Sequence, residues 1–285
     1  MKKITLEELL EAGCHFGHMK RRWNPAMSKY IYGVRDGVHI FDLAKTKEGL
    51  EAACDFVKKV ASEGGVILFV GTKRQAADMV KAEAIRVGMP YTSVRWMGGL
   101  LTNFSQLSKS IHKLADLKAK KEAGELNKYT KKERLLFDRE IASLGKFFGG
   151  VTALNRLPEA IFVVDTHREE VAVREAVRMR IPVVGIVDTN ARPEIVDYLI
   201  AANDDAVKSI ELIIKAIADA VEEGKRSQPG DKPQTQVKEK KVKKEKKTEP
   251  EVAEAVAEEI EKKVEEEVGK EAKVEVLAKV PKGKK

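Results

Sequence analysis

Chemistry-bearing side chains follow three apolar runs of the sequence, at residues 71–74, 165–168 and 188–190. The runs before them have the continuous apolar character of strands buried in a parallel sheet. Because open α/β sheets bind ligands at the carboxyl ends of their strands, acid, imidazole, hydroxyl and ammonium groups are expected to meet at one edge. This pattern is typical of an enzyme or a nucleotide-binding protein.

The strand-end residues leave two interpretations open. An enzyme or a protein that binds a nucleotide or sugar phosphate would use Lys73, Asp165, His167 and Asp188. Neither GxGxxG nor GxxxxGK(S/T) occurs, so the glycine loops that cradle phosphates are missing, and Asp or Thr at a strand–helix junction is also an ordinary N-cap. The other interpretation is that residues 71–74 hold a nucleic-acid phosphate at a helix N-terminus.

A metal site is a second chemical interpretation. Cys14, His15 and His18 are close in sequence, and Asp204 with Asp205 would add oxygen ligands if the fold brings them near. Zinc needs further ligands, and neither CxxC nor a distant HxxxH supplies them. We therefore expect no metal and favour polar or RNA-facing histidines, although the sequence leaves the question open.

Residues 18–35 combine cations with aromatic rings and contain no acidic residue. Guanidinium groups bind phosphates in bidentate fashion, and exposed rings stack on bases or riboses. Charge of one sign repels itself unless a polyanion neutralises it, which favours nucleic acid over a solvated loop with a core-anchoring tryptophan. The cations are Lys20, Arg21, Arg22, Lys29 and Arg35, and the rings are those of Trp23, Tyr30 and Tyr32, with Asn24-Pro25 as an exposing turn.

Length and composition narrow the class of protein. The chain has 285 residues, a net charge of +8 and two cysteines. The basic balance agrees with a polyanionic partner, and two cysteines exclude a disulfide scaffold. Neither a signal peptide nor the ~20 consecutive apolar residues of a membrane helix occurs. We expect a soluble intracellular protein.

Strand and helix patterns alternate along most of the chain. Strands are predicted at 66–70, 161–164 and 183–187, with weaker candidates at 38–43 and 91–94. Helices are predicted at 46–63, 75–87, 168–179 and 206–222. Right-handed crossovers between parallel strands give an α/β fold with a Rossmann-like doubly wound, mostly parallel sheet.

Two further regions depart from this alternation. Within residues 103–148, apolar side chains recur every three or four positions in two stretches, which predicts an antiparallel coiled-coil hairpin that projects as an arm. Beyond residue 224, 18 Lys or Arg and 14 Asp or Glu among 61 residues, without an aromatic side chain, predict a largely disordered tail. The predicted organisation is an α/β domain at 1–102 and 149–224, the arm at 103–148 and the tail at 225–285.

Six short segments occur in an order and at a spacing that one family shares. They are residues 15–18 (HFGH), 23–25 (WNP), 69–74 (FVGTKR), 95–103 (RWMGGLLTN), 188–190 (DTN) and 203–206 (NDDA). Over about residues 1–224 the chain thereby resembles the bacterial small-subunit ribosomal protein "S-two". The chain departs from this family at two places. Ala201-Ala202 stands before residues 203–205 where the family often has Pro-Gly, and Arg192-Pro193 follows Ala191 where the family often has Asp-Pro after Asp-Thr-Asn.

The resemblance implies a Rossmann-like domain with a coiled-coil hairpin and a structural role without enzymatic activity or cofactor. It implies binding of 16S rRNA between the head and body of the small subunit in the cytoplasm. It also implies recruitment of ribosomal protein "S-one" for translation, with no membrane and no small-molecule substrate. An enzyme that uses the strand ends remains the alternative, and a scaffold whose arm and tail bind proteins is a third.

The RNA contacts predicted on this basis are cations for phosphates and tryptophans that stack on bases or anchor the contacting loops. The predicted set is Lys20, Arg21, Arg22, Trp23, Asn24, Arg35, Lys73, Arg74, Arg95, Trp96 and Asn103. The arm would reach a second RNA or protein surface.

Overall fold

The computed structural model describes residues 4–227, in which strands and helices alternate. The strands are β1 (Phe16–Met19), β2 (Ile31–Arg35), β3 (Val38–Phe41), β4 (Ile67–Val70), β5 (Tyr91–Thr92), β6 (Ala160–Val164), β7 (Val183–Val187) and β8 (Tyr198–Ala201). The helices are α1 (Leu6–Glu11), α2 (Leu43–Ser62), α3 (Ala77–Val87), α4 (Phe104–Glu122), α5 (Lys131–Phe148), α6 (Glu170–Met179) and α7 (Val207–Arg226). None of the helices within residues 4–227 combines the length and apolar character that crossing a bilayer requires.

Five parallel strands form the main sheet in the order β5-β4-β6-β7-β8. Counted along the chain, these five strands have the order 2-1-3-4-5, one of the two common doubly wound arrangements, which confirms the predicted α/β class with its mostly parallel sheet. Every residue of β4, β6 and β7 is buried, as their continuous apolar runs predict. The strand order reverses between β4 and β6, so these two strands flank the crevice at the carboxyl edge.

Two apolar cores fill the two faces of the sheet. On one face, α1, α2, α3 and α7 pack against Phe69 and Phe162. On the other face, α6 and the base of the α4–α5 pair pack against Leu68 and Ile161. Successive side chains of a strand point to opposite faces, so neighbouring residues of β4 and β6 supply both cores.

A second, antiparallel sheet has the order β1-β3-β2, and only β3 corresponds to a predicted strand candidate. Asp36 and Gly37 join β2 to β3 with φ angles of 52° and 76°. Positive φ at both central residues is what a two-residue type I′ hairpin requires. Between β1 and β2 lie two short 3₁₀ turns, Lys20–Arg22 and Pro25–Tyr30. The basic segment is therefore built into a sheet.

The helices α4 and α5 occupy the region predicted as an arm. Thr130 and Glu133 form the capping box that starts α5. Ile111, Leu114 and Phe148 are buried in the second core, so the base of this pair belongs to the body. Two ion pairs cross between the helices, Lys113 with Glu140 and Lys121 with Asp138. The coiled-coil character of the pair and its boundaries as a separate unit stay predictions.

The predicted tail begins within the last turn of α7, which continues to Arg226. The helix predicted at 206–222 is thus four residues longer at its carboxyl end. Residues 228–285, on which the prediction of disorder mainly falls, lie outside the described range.

Candidate nucleic-acid interface

A group of charged side chains, here named the strand-end cluster, lies at the carboxyl edge of the main sheet. Its members are His18, Lys73, Asp165, Asp188, Asp204 and Asp205. The Lys73 ammonium lies 2.7 Å from Asp204, 2.6 Å from Asp205 and 3.2 Å from Asp165. Burial by itself lowers the pKa of Lys73, but hydrogen bonds to Asp204 and Asp205 outweigh it, so the pKa is raised. Lys73 is therefore a charged group fixed inside the protein.

The pKa values of Asp204 and His18 depend strongly on the neighbouring charges of the cluster. Burial, together with the negative charges of Asp188 and Asp165, raises the pKa of Asp204 to about 7. His18 Nδ1 lies 3.0 Å from an Asp188 oxygen. This hydrogen bond raises the pKa of His18, although partial burial acts in the opposite direction. The charged groups of the cluster thus shift one another's pKa values.

Three members of the strand-end cluster could hold a metal ion. Ligand atoms of His18, Asp188 and Asp204 lie within 4.8 Å of one another. The Lys73 ammonium already places a cation against Asp204. Cys14 is buried, and burial raises the pKa of its thiol, which disfavours the thiolate that zinc binds. The donor set is therefore one imidazole with carboxylates, and it does not include the cysteine.

Residues 71–74 are less open to a phosphate than the sequence predicts. The hydroxyl and the amide of Thr72 both donate to the buried carboxylate of Glu169, the amide at 3.4 Å. Lys73 points into the strand-end cluster, which leaves Arg74 as the exposed cation of this turn. A carboxylate thus lies at the turn where a dinucleotide-binding enzyme would hold its phosphates. His167 is exposed and stands outside the cluster.

Thr189 ties the basic segment to the end of β7. Its hydroxyl accepts a hydrogen bond from the His18 amide at 2.9 Å, and its carbonyl accepts one from the Asn24 amide at 2.7 Å. Gly17 makes this approach feasible, because a Cβ there would lie 2.7 Å from the Thr189 methyl carbon. Thr189 is fully buried and holds both ends of the intervening turn.

The turn between these two anchors presents three consecutive cations. Lys20, Arg21 and Arg22 are all exposed, and within residues 4–227 none of them forms an ion pair. Trp23 is half-buried, with its ring centroid 4.9 Å from that of His39. Burial, aided by the charge of Lys20, lowers the pKa of His39. We call residues 20–22 the cationic turn; its charge has no counterpart in the described part of the chain.

Arg95 belongs to a loop that is fixed by one buried carboxylate. Glu175 accepts hydrogen bonds from Trp96 Nε1 at 3.0 Å, from the Gly99 amide at 2.8 Å, and from the amides of residues 101–102 at 3.1 and 3.2 Å. Burial raises the pKa of Glu175, but the bonds from Gly99 and Trp96 outweigh it and lower the pKa. Sequence reasoning missed Glu175, whose signal was an acidic residue on the apolar face of α6.

The predicted RNA contacts fall into three groups by burial. The exposed members are Lys20, Arg21, Arg22, Arg35, Arg74, Arg95 and Asn103, the half-buried members are Trp23 and Asn24, and the buried members are Lys73 and Trp96. The side-chain oxygen of Asn24 accepts from the Ala26 amide, so it caps the second 3₁₀ turn. Trp96 anchors its loop. Lys73 is buried among three carboxylates, which disfavours its predicted contact with a phosphate.

Comparison with known proteins places these features in one family. The sequence matches the family described as "Ribosomal protein S2" over residues 9–224. It is 50% identical over 230 residues to "Small ribosomal subunit protein uS2" of Coprothermobacter proteolyticus, covering 81% of this chain and 86% of the relative. It is 49% identical over 219 residues to the protein of the same name from Thermus thermophilus, covering 77% and 86%. The strand-end cluster, the cationic turn and the helices α4 and α5 all lie within the matched range, and the chain belongs to the ribosomal protein S2 family.

Proposed function

We propose that this protein is a structural constituent of the small ribosomal subunit and binds 16S rRNA between the head and the body. The observation that carries the proposal is the cationic turn, whose three exposed charges have no partner within residues 4–227. The family and the names of the relatives support the ribosomal assignment. The protein accordingly acts in the cytoplasm, on the ribosome.

The cationic turn suits a phosphate backbone. Each lysine or arginine that neutralises a phosphate releases counterions, which makes the affinity depend on salt. The hydrogen bonds of Thr189 at both ends of the turn hold it in place before binding, so less conformational entropy is lost when RNA binds. Arg35, Arg74 and Arg95 extend the set of exposed cations. Phosphate contacts fix the register, and the shape of the folded RNA supplies specificity.

The α/β body serves as a rigid support in this proposal, without enzymatic activity and without a cofactor. Its strand ends carry the residue types of an active site, but Lys73 is committed to Asp165, Asp204 and Asp205. The carboxylate of Glu169 occupies the turn that would bind a nucleotide phosphate. These contacts hold the loops after β4, β6 and β8 together, and they favour a structural over a catalytic role.

Filter binding of the full chain to 16S rRNA fragments across a salt series tests the RNA contact. We expect Arg21→Ala combined with Arg22→Ala to weaken binding about tenfold at moderate salt and to reduce the salt slope by about 2. Lys59→Ala combined with Lys81→Ala is the matched control, because it removes the same charge from exposed positions on α2 and α3. Affinity that ignores salt, or equal binding by both double variants, contradicts the proposal.

Recruitment of ribosomal protein "S-one" is the second part of the proposal, and the family resemblance supports it. Because that resemblance ends near residue 224, we expect a chain truncated after residue 227 to enter small subunits and to retain "S-one" on them. Sucrose-gradient fractions probed for both proteins measure this. Loss of "S-one" alone would move the recruiting surface into residues 228–285. Normal "S-one" content on subunits that lack this protein would contradict the recruiting role.

A further inference from the structure

A cavity of about 350 Å³ lies beside the strand-end cluster, where β6 and β7 end. The residues that matter for its chemistry are Trp23 and Asn24 from the basic segment, Thr166 and His167 after β6, and Asn190 and Arg192 after β7. Its volume falls near the lower end of the ~300–1,000 Å³ typical of small-ligand sites. Its place, at the carboxyl ends of parallel strands, is where open α/β sheets bind ligands.

The crevice between β4 and β6, the expected ligand position for this strand order, is filled by the protein's own charges. Lys73 and Asp165 form an ion pair there, and Glu169 accepts hydrogen bonds from Thr72. A ligand at the strand ends is therefore directed to the next gap, between β6 and β7. The cavity lies in that gap.

Two polar groups of the cavity residues have no hydrogen-bond partner in the described part of the chain. They are Thr166 Oγ1 and Asn190 Oδ1. Thr166 is only 3% exposed, and buried polar groups are nearly always paired in folded proteins. A hydroxyl that donates or accepts and an amide oxygen that accepts are the group types that pair with the mixed donor and acceptor edge of a nucleobase. An apolar ligand would leave the Thr166 hydroxyl and the Asn190 amide oxygen without hydrogen bonds.

An aromatic face and a cation complete the set that a nucleotide needs. Trp23 follows the cationic turn directly in the sequence and lines the cavity. An RNA strand whose phosphates contact the turn would therefore lie beside the cavity. Arg192 is exposed and forms no ion pair within residues 4–227. Glu170 also lines the cavity, but its carboxylate is paired with Arg174 at 2.9 Å, which lessens its repulsion of a phosphate.

We propose that this cavity binds one unstacked nucleotide, with the base against Trp23 and hydrogen-bonded to Thr166 and Asn190, and the phosphate held by Arg192. The inference rests on the proposed RNA-binding function and adds base recognition to a surface otherwise made of phosphate contacts. A free nucleoside monophosphate has the same chemistry, so the test separates the two sources.

The test titrates the full chain into a single-stranded hexaribonucleotide with one central 2-aminopurine, whose fluorescence reports stacking. Thr166→Val removes the hydroxyl at nearly constant shape, and we expect it to weaken binding about fivefold without changing the salt slope. Arg192→Gln should weaken binding similarly while reducing the slope by about 1. Arg178→Gln, an exposed cation of α6 outside the cavity, is the matched control.

Adenosine monophosphate is the second probe. If only the hexanucleotide binds, the ligand of the cavity is a nucleotide within an RNA strand. If both probes bind, and Thr166→Val and Arg192→Gln weaken both, the cavity binds free nucleotides as well. Wild-type affinity in Thr166→Val and Arg192→Gln would overturn the cavity site, yet leave the Arg21 and Arg22 effect on 16S rRNA intact. Failure of the wild-type chain to bind either RNA would overturn both proposals. Thermal unfolding of Thr166→Val checks its fold, and we expect an unchanged or higher midpoint, because an unpartnered hydroxyl is removed.

Discussion

The strand-end cluster and the cationic turn concentrate charge in opposite ways. In the cluster, Lys73 is 8% exposed and faces three carboxylates. In the turn, three neighbouring cations are exposed and face no carboxylate within residues 4–227. A buried charge is tolerated only with partners, whereas an exposed one is solvated and stays available. The difference shows that the position of the counter-charge separates a buried cation that holds loops together from exposed cations that stay available to a partner.

The two regions are also joined. His18 pairs with Asp188 of the cluster through its ring, and its amide donates to Thr189 at the start of the turn. The internal charge network therefore fixes the base from which the external charges project. The strand end after β7 therefore holds the basic segment in place, through Asp188 and Thr189.

Substitutions at adjacent positions give the strongest test of this comparison. Lys73→Met leaves Asp165, Asp204 and Asp205 without their cation, and we expect the free energy of unfolding to fall by about 3–5 kcal/mol. Arg74→Gln changes an exposed, unpaired side chain and should stay within about 0.5 kcal/mol of the wild type. Urea denaturation measures both.

RNA binding should reverse the ranking of these two variants. Under conditions where both proteins are folded, Arg74→Gln should reduce the salt slope of 16S rRNA binding by about 1, and Lys73→Met should leave it unchanged. If Arg74→Gln destabilises as much as Lys73→Met, exposure does not separate the two roles. If Lys73→Met lowers the salt slope, Lys73 returns to the RNA surface.

Much of the fold was predictable because its signals are local. The runs at 66–70, 161–164 and 183–187 became β4, β6 and β7 with small changes of boundary, since a strand buried on both faces needs apolar side chains throughout. The hairpin at Asp36-Gly37 was also readable, since Asp-Gly is a favoured two-residue turn. The structure adds β2, which the sequence patterns did not predict, as the strand before this turn.

The candidate site was less predictable because its contacts are distant in sequence. Whether Lys73 points to solvent is decided by Asp204 and Asp205, more than 130 residues later. Likewise, the loop of Arg95 depends on Glu175. A local pattern shows that a residue carries charge, but the partner that buries that charge follows from topology.

The pH dependence of stability tests the strand ends with a smaller expected effect than Lys73→Met. Burial raises the pKa of Glu169, so the folded state holds this proton more tightly than the unfolded state. The resulting stability is fully present below the pKa of the Glu169 carboxyl in the unfolded chain, about 4.3, and is lost as the pH rises through its pKa in the folded state. In Glu169→Gln, the free energy of unfolding should therefore fall less steeply above that pH, by at most about 1.4 kcal/mol per pH unit.

Urea denaturation between about pH 4 and pH 8 measures the two slopes. His18 and Asp204, whose pKa values are also raised, act in the same direction in both proteins, so the difference isolates Glu169. Glu194→Gln, at an exposed carboxyl, is the matched control and should keep the wild-type slope. A Glu169→Gln slope equal to that of the wild type would show that the burial of Glu169 does not contribute to the pH response of the strand ends.

Arg35 tests the other side of the comparison with the smallest expected change in stability. Its side chain is 86% exposed, and the nearest carboxylate, that of Asp36, lies 3.9 Å away and is itself exposed. Arg35→Ala should leave the free energy of unfolding within about 0.5 kcal/mol of the wild type and reduce the salt slope of 16S rRNA binding by about 1. Asp36→Asn removes the adjacent negative charge at a backbone φ that asparagine adopts readily, and should strengthen binding slightly. Opposite effects of Arg35→Ala and Asp36→Asn on RNA binding, without a change in stability, would group Arg35 with the cationic turn. A loss of stability in Arg35→Ala without a change in salt slope would group Arg35 with Lys73. The available cations of the basic segment would then end near residue 22.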